Sequence, residues 1–385
     1  MTDVAPPRLT PAPRSTPASP ARPLLLCLSH LRWSFVYQRP QHVMSRLAHS
    51  YDVLFFEEPV FADQAQPQLL ISQPAEGVTV LVPQLPAGAT HDHVITMQRD
   101  LLDDYLAQHR HAELLLWYLT PMSLAFTDHL QGRVTIFDCM DELSAFMGAP
   151  PELIERERQL LARADVVFTG GYSLWEAKRH QHTNAHAMPS SVDIAHFAQA
   201  REPLPDPADQ VAIGRPRLGF FGVIDERFDI QLVDEVARQR PQWQIVLIGP
   251  VVKIDPQTLP RRANIHYLGA RQYDALPHYL AGWDVALMPF AINASTRFIS
   301  PTKTPEYLAG GRPVVSTPIA DVISGYGASG VVAIADSPAK FIAAVEKALS
   351  AEARDSVIAQ ADAALDGLSW DKTCNAMKEH IECLR

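Results

Sequence analysis

The chain is poor in the residues that make metal clusters, membrane spans and dinucleotide loops. Its four cysteines, Cys27, Cys139, Cys374 and Cys383, contain no CxxC pair, which argues against a zinc site of the paired-cysteine kind. Cys27 and Cys139 sit in strand-like apolar contexts and read as buried thiols, with a reducing cytoplasm as the simplest setting. No apolar run approaches the ~20 residues needed to cross a bilayer. No GxGxxG follows either PLLLCLS or RLGFFG, which disfavours a dehydrogenase. Positive charge is also short: 33 Lys and Arg against 43 Asp and Glu give a formal net charge of -10. That balance speaks against nucleic acid as a main partner and against broad attraction to anionic lipid, while leaving a local basic patch open. Residues 1–22 lack the apolar core of a signal peptide and are rich in Pro, Ala, Ser and Thr. They read as a disordered tail.

What is present is a soluble globular balance, 47% apolar and 20% charged, in a chain too long for one ordinary core. From Pro23 short apolar runs alternate with amphipathic stretches, the pattern of parallel βαβ units. Strands are expected at PLLLCLS, YDVLFFE, VTVLV, ELLLWYL, RVTIFD and DVVFTG. These runs lack polar alternation, as strands covered on both faces do. Helices are expected at RPQHVMSRLAH, HVITMQRDLLDDYLAQH and PELIERERQLLARA, the last opening with Pro151 in its first turn. The Pro-rich stretch REPLPDPADQ breaks the rhythm, and RPRLGFFG restarts it. The expected organisation is a first α/β domain over 23–198, a linker over 199–214 and a second α/β domain over 215–365. A terminal helix over 366–385 should present Trp370, Cys374, Met377 and Ile381 as one apolar stripe. Two Rossmann-like halves bind ligands outside the carboxyl ends of their strands, which places a site in the cleft between them.

The most informative segment is PTKTPEYLAGGRPVVST. Thr304 is expected to cap a short helix with Pro305 and Glu306 in its first turn, ended by Gly310 and Gly311. A helix start attracts phosphate, with Lys303 beside it as a point charge, and Glu306 can accept from ribose hydroxyls. In LGFFGVIDERFD, Gly222 permits close backbone approach and Arg227 can pair with a diphosphate. After the first strand, SHLRWSFVYQRPQHVMSRLA brings Arg39, Gln41 and His42 to a strand's carboxyl end. Trp33 and Tyr37 can stack on a sugar ring or fill the core. IFDCMDELSAF sets Asp138 and Asp141 at the end of another strand, with Asp141 also a candidate helix cap.

These motifs resemble the retaining, family 4-like group of GT-B glycosyltransferases. The resemblance rests on Glu306, Ala309-Gly310-Gly311 and Pro313-Val314-Val315, and on MPSSVDIAHF, which is similar to that group's interdomain signature. Ser190 and Ser191 stand where Asn-Gly is usual, and Ile299 to Thr302 replace a second upstream glutamate. The SHLRW segment resembles a branch from bacterial surface-polysaccharide pathways, including teichuronic-acid-type transferases. The resemblance implies a GT-B fold whose terminal helix crosses back to the first domain. It implies Glu306 on ribose, and Gly222, Arg227, Lys303 and Thr304 around the donor. Trp33, Tyr37, Arg39 and Gln41 then face the acceptor or cleft, and Asp138, Asp141 or His42 serve as the base if the reaction inverts. It further implies a nucleotide-sugar co-substrate, UDP by default, no metal or other cofactor, and a glycan or lipid-linked acceptor. The setting is cytoplasmic, with peripheral contact at the inner membrane face. A GT-B sugar-nucleotide epimerase and a non-catalytic nucleotide-sugar-binding protein are the alternatives.

Overall fold

A computed structural model describes residues 22–109 and 111–385. The expected tail therefore lies outside the described residues, apart from Arg22. The first half holds nine strands: β1 (Leu24–Leu28), β2 (Asp52–Phe56), β3 (Val60–Ala62), β4 (Gln68–Ala75), β5 (Val78–Pro86), β6 (Leu114–Tyr118), β7 (Val134–Cys139), β8 (Val166–Thr169) and β9 (Ala185–Ala187). They form one sheet in the order β3-β5-β2-β1-β6-β7-β8-β9. Every pairing is parallel except that of β4, which lies antiparallel on β5.

The second half holds β10 (Arg217–Phe221), β11 (Gln244–Ile248), β12 (Ile265–Gly269), β13 (Val285–Met288), β14 (Val314–Ser316) and β15 (Val332–Ile334). Their order is β12-β11-β10-β13-β14-β15, all parallel. That is the 3-2-1-4-5-6 order of a dinucleotide-binding sheet. The central strands are buried along their length, β7 and β10 at every residue. Their apolar runs are continuous for that reason.

Each sheet has a core on both faces. The terminal helix Trp370–Glu382 buries Trp370, Cys374, Met377 and Ile381 in a core of the first half. It therefore crosses back as expected. The Pro-rich stretch after Arg201 is not a loose tether. Gln210 is fully buried, accepts from Trp283 Nε1 at 2.9 Å and donates to the Tyr279 carbonyl at 3.1 Å. No helix among the described residues is long and apolar enough to cross a membrane.

Several contacts among the described residues tie the halves together. The Asp321 carboxylate, from the second half, accepts from the backbone N–H of Tyr172 and of Ser173, each at 2.9 Å. These are orphan donors of the helix Tyr172–Lys178 in the first half. Phe146 of the first half lies under two cations of the second, Arg227 at 5.1 Å and Lys253 at 4.8 Å from its ring centre. Phe298 packs into a core of the first half.

One local expectation fails here, and three strands carried no expectation. The helix expected from Pro151 begins at Leu153, with Glu152 at its cap, because Pro151 falls in the preceding turn. The segments β3, β4 and β9 were not legible as strands; β4 is largely exposed and lacks the buried run that marks the others.

Candidate functional site

A cleft of about 1240 Å3, counting space open to solvent, separates the halves. Its wall is built from residues that follow strands. Phe35 to Arg39 come after β1, Met140 and Asp141 after β7, and Gly170 after β8. From the second half, Gly222 and Val223 follow β10, Gly249 and Pro250 follow β11, Ala270 follows β12 and Phe290 follows β13. The cleft therefore lies outside the carboxyl ends of both sheets, where open α/β sheets bind ligands.

Its floor is the start of the helix Lys303–Ala309. Lys303 and Glu306 both line the cleft, and neither side chain hydrogen-bonds or ion-pairs with another described residue. Burial pushes the Glu306 carboxyl up to about 8, opposed by Lys303. Burial also lowers the Lys303 ammonium, opposed by Glu306. A buried cation and a buried acid without hydrogen-bond partners, both lining the cleft, mark this pair as a candidate site.

Gly222 makes room for Lys303. Its φ is +148°, and a Cβ there would stand 2.0 Å from Lys303 Cε. A Cβ on Gly249, at φ +146°, would stand 1.8 Å from the Gly222 carbonyl oxygen. Two glycines in a conformation side chains rarely adopt thus let the lysine lie against backbone.

Arg227 also lines the cleft. Its guanidinium forks onto Asp225, with Nη2 donating to Oδ2 at 2.6 Å and Nε donating to Oδ1 at 3.0 Å. Burial opposes its charge, and Asp225 more than offsets that. Asp141 faces the same space, its carboxyl raised by burial and held back by Arg227 and Arg39.

Several expected contact residues do not line this cleft, although Trp33 and His42 line an adjoining pocket with Tyr37, Arg271 and Tyr273. Thr304 is not the cap: the helix starts at Lys303 with Thr302 ahead of it, and the Thr304 hydroxyl donates to Met288 Sδ at 3.1 Å inside the second half. Asp138 does not meet the cleft but Arg39. Arg39 Nη2 donates to Asp138 Oδ1 at 2.7 Å, Nε donates to both carboxylate oxygens at 3.2 Å, and Nη1 donates to the Met188 carbonyl at 2.6 Å. The Gln41 side chain accepts from Gln38 N at 3.0 Å and donates to the Trp33 carbonyl at 2.8 Å, bracing the loop rather than facing a ligand. Trp33 packs edge-on against Phe55, with ring centres 5.1 Å apart, in the first core. His42 stacks on Trp370 at 4.6 Å, and burial lowers its imidazole to about 3, so it is neutral. Tyr37 does line the cleft, together with Arg39.

One cleft residue carried no signal in the sequence. Tyr273, in YDALPHYL, lines the wall, stacks on His196 at 4.3 Å and meets Tyr37 at a tilt of 32° with ring centres 4.7 Å apart. It reads as part of an ordinary amphipathic stretch, and only the fold carries its ring to the junction of the halves.

Comparison with known proteins places this geometry. Residues 215–351, which contain the Lys303–Glu306 floor, match a family described as glycosyl transferases group 1. The chain is 26% identical over 220 residues to the putative teichuronic acid biosynthesis glycosyltransferase TuaH of Bacillus subtilis (strain 168). That match covers 52% of this chain and 55% of the relative, so the chain spans about half the length of the curated relative it matches. Among solved structures, sucrose-phosphate synthase from Thermosynechococcus elongatus superposes with a TM-score of 0.72 at 14% identity, covering 94% of this chain and 99% of that one. The Alr3699/HepE protein of Anabaena, solved in complex with UDP, superposes with a TM-score of 0.66 at 13% identity, covering 94% and 100%. The fold is GT-B: two facing Rossmann-like domains of α/β type.

Proposed function

We propose that this chain is a glycosyltransferase that moves a sugar from a UDP-sugar to a glycan or lipid-linked acceptor in surface-polysaccharide synthesis, with retention at the anomeric carbon. The observation that carries the proposal is the unpartnered Lys303–Glu306 pair on the cleft floor, inside the segment that matches the glycosyltransferase family. TuaH supports a polysaccharide acceptor, and the UDP complex of the Anabaena protein supports the nucleotide.

In this reading Glu306 takes the ribose hydroxyls, while Lys303 and Arg227 face the diphosphate. The bond between the anomeric carbon and the diphosphate oxygen breaks, and the acceptor oxygen bonds the same face of that carbon. The acceptor proton passes to the leaving phosphate. Negative charge grows on the diphosphate during the step, so fixed cations beside it favour the transition state. No protein nucleophile is needed. The chain works in the cytoplasm, with its acceptor at the inner membrane face.

A thermal-shift screen against UDP, GDP and their common sugar conjugates tests the donor site. A rise with UDP and UDP-sugars is expected. No shift with any nucleotide contradicts the proposal.

A further inference from the structure

Tyr273 is held by rings from two other parts of the chain. Tyr37 and His42 come from the first half, with ring centres at 4.7 and 5.4 Å. His196 and Phe197 come from the segment joining the halves, at 4.3 and 5.5 Å. The His196 Nε2 lies 3.2 Å from the Tyr273 carbonyl oxygen. The ring is thus fixed from several sides, yet its hydroxyl is buried with no hydrogen-bond partner. A buried O–H without a partner costs stability, and such a group in a cleft wall is explained by a ligand that uses it.

Glu306, which lines the same cleft as Tyr273, identifies the ligand group. Burial raises the Tyr273 phenol far above its ordinary range, and Glu306 is the next cause. The hydroxyl therefore stays protonated and sits within the field of the Glu306 carboxyl. A ribose diol has protons to give and lone pairs to satisfy. Carboxyl oxygens take the protons; a fixed O–H answers the lone pairs.

We infer that Tyr273 is a donor-positioning residue whose hydroxyl donates to the ribose of the bound nucleotide beside Glu306. The inference rests on the proposed nucleotide-sugar site and adds a residue to it.

The test is titration calorimetry of the full chain with UDP and with 2′,3′-dideoxy-UDP, for wild type and Tyr273→Phe. The substitution keeps the ring and its packing, and unchanged thermal unfolding of the ligand-free variant verifies that. Tyr273→Phe should weaken UDP about fivefold to tenfold, the scale of one hydrogen bond, and leave dideoxy-UDP unchanged. Equal UDP binding by both proteins overturns the inference. So does equal weakening of both ligands, which would mark a structural or phosphate role. If the wild type binds no UDP, the nucleotide-site reading itself fails and takes this inference with it.

Discussion

Arg39 and Asp138, separated by 99 positions in sequence, form a buried fork beneath the cleft. Arg39 is 3% exposed and Asp138 1%. The guanidinium also holds the Met188 carbonyl, so three separate segments of the first half depend on one side chain. Both residues belong to segments that read as cleft-facing, yet most of their polar capacity is spent on each other. Removing one partner strands a buried charge. Asp138→Ala should therefore cost about 3–5 kcal/mol, measured by urea unfolding. The paired replacement Arg39→Met with Asp138→Leu should cost less than the single change. A neutral Asp138→Ala would mean that the fork contributes little.

Asp321 is the clearest polar tie between the halves. A Cβ on Gly171 would stand 2.2 Å from its Oδ2, so the close approach depends on a glycine. Asp321→Ala removes the acceptor of two helix-start N–H groups. It should cost about 1–2 kcal/mol and let the halves separate. Small-angle scattering of the ligand-free protein should show a larger radius of gyration. An unchanged radius would show that Phe146 and Phe298 hold closure without it.

Gly222 makes a sharper demand. Any side chain there meets Lys303 and must adopt a backbone conformation nearly reserved for glycine. Gly222→Ala should lose about 1–3 kcal/mol of stability and displace Lys303, weakening UDP at least about tenfold. Calorimetry checks the second effect. Wild-type affinity in a folded variant would remove Lys303 from the diphosphate site.

Much of the architecture is legible in the sequence because parallel strands buried on both faces leave unbroken apolar runs. The strand β4 escapes that rule: its antiparallel pairing leaves most of it exposed. The Lys303–Glu306 floor is legible because helix-start chemistry is local. The Arg39–Asp138 fork, the Asp321 tie and the Tyr273 cage are not, since each joins residues distant in sequence. Thr304 shows a further limit. Its side chain turns to Met288, and no local pattern distinguishes a capping hydroxyl from an inward one.

The charge state of the floor offers the most direct measurement. Burial raises the Glu306 carboxyl to about 8, so at pH 7 it holds its proton and sets no negative charge beside Lys303. Loss of that proton removes one positive charge from the site. The last phosphate proton of the ligand leaves near pH ~6, outside the window. UDP affinity, measured by calorimetry from pH 7 to 9, should fall as pH rises through about 8, by up to about tenfold per unit. Glu306→Gln should move that fall away from its wild-type position. No UDP binding at any pH, or affinity that holds or rises above pH 8, would contradict a diphosphate site on Lys303 and Glu306.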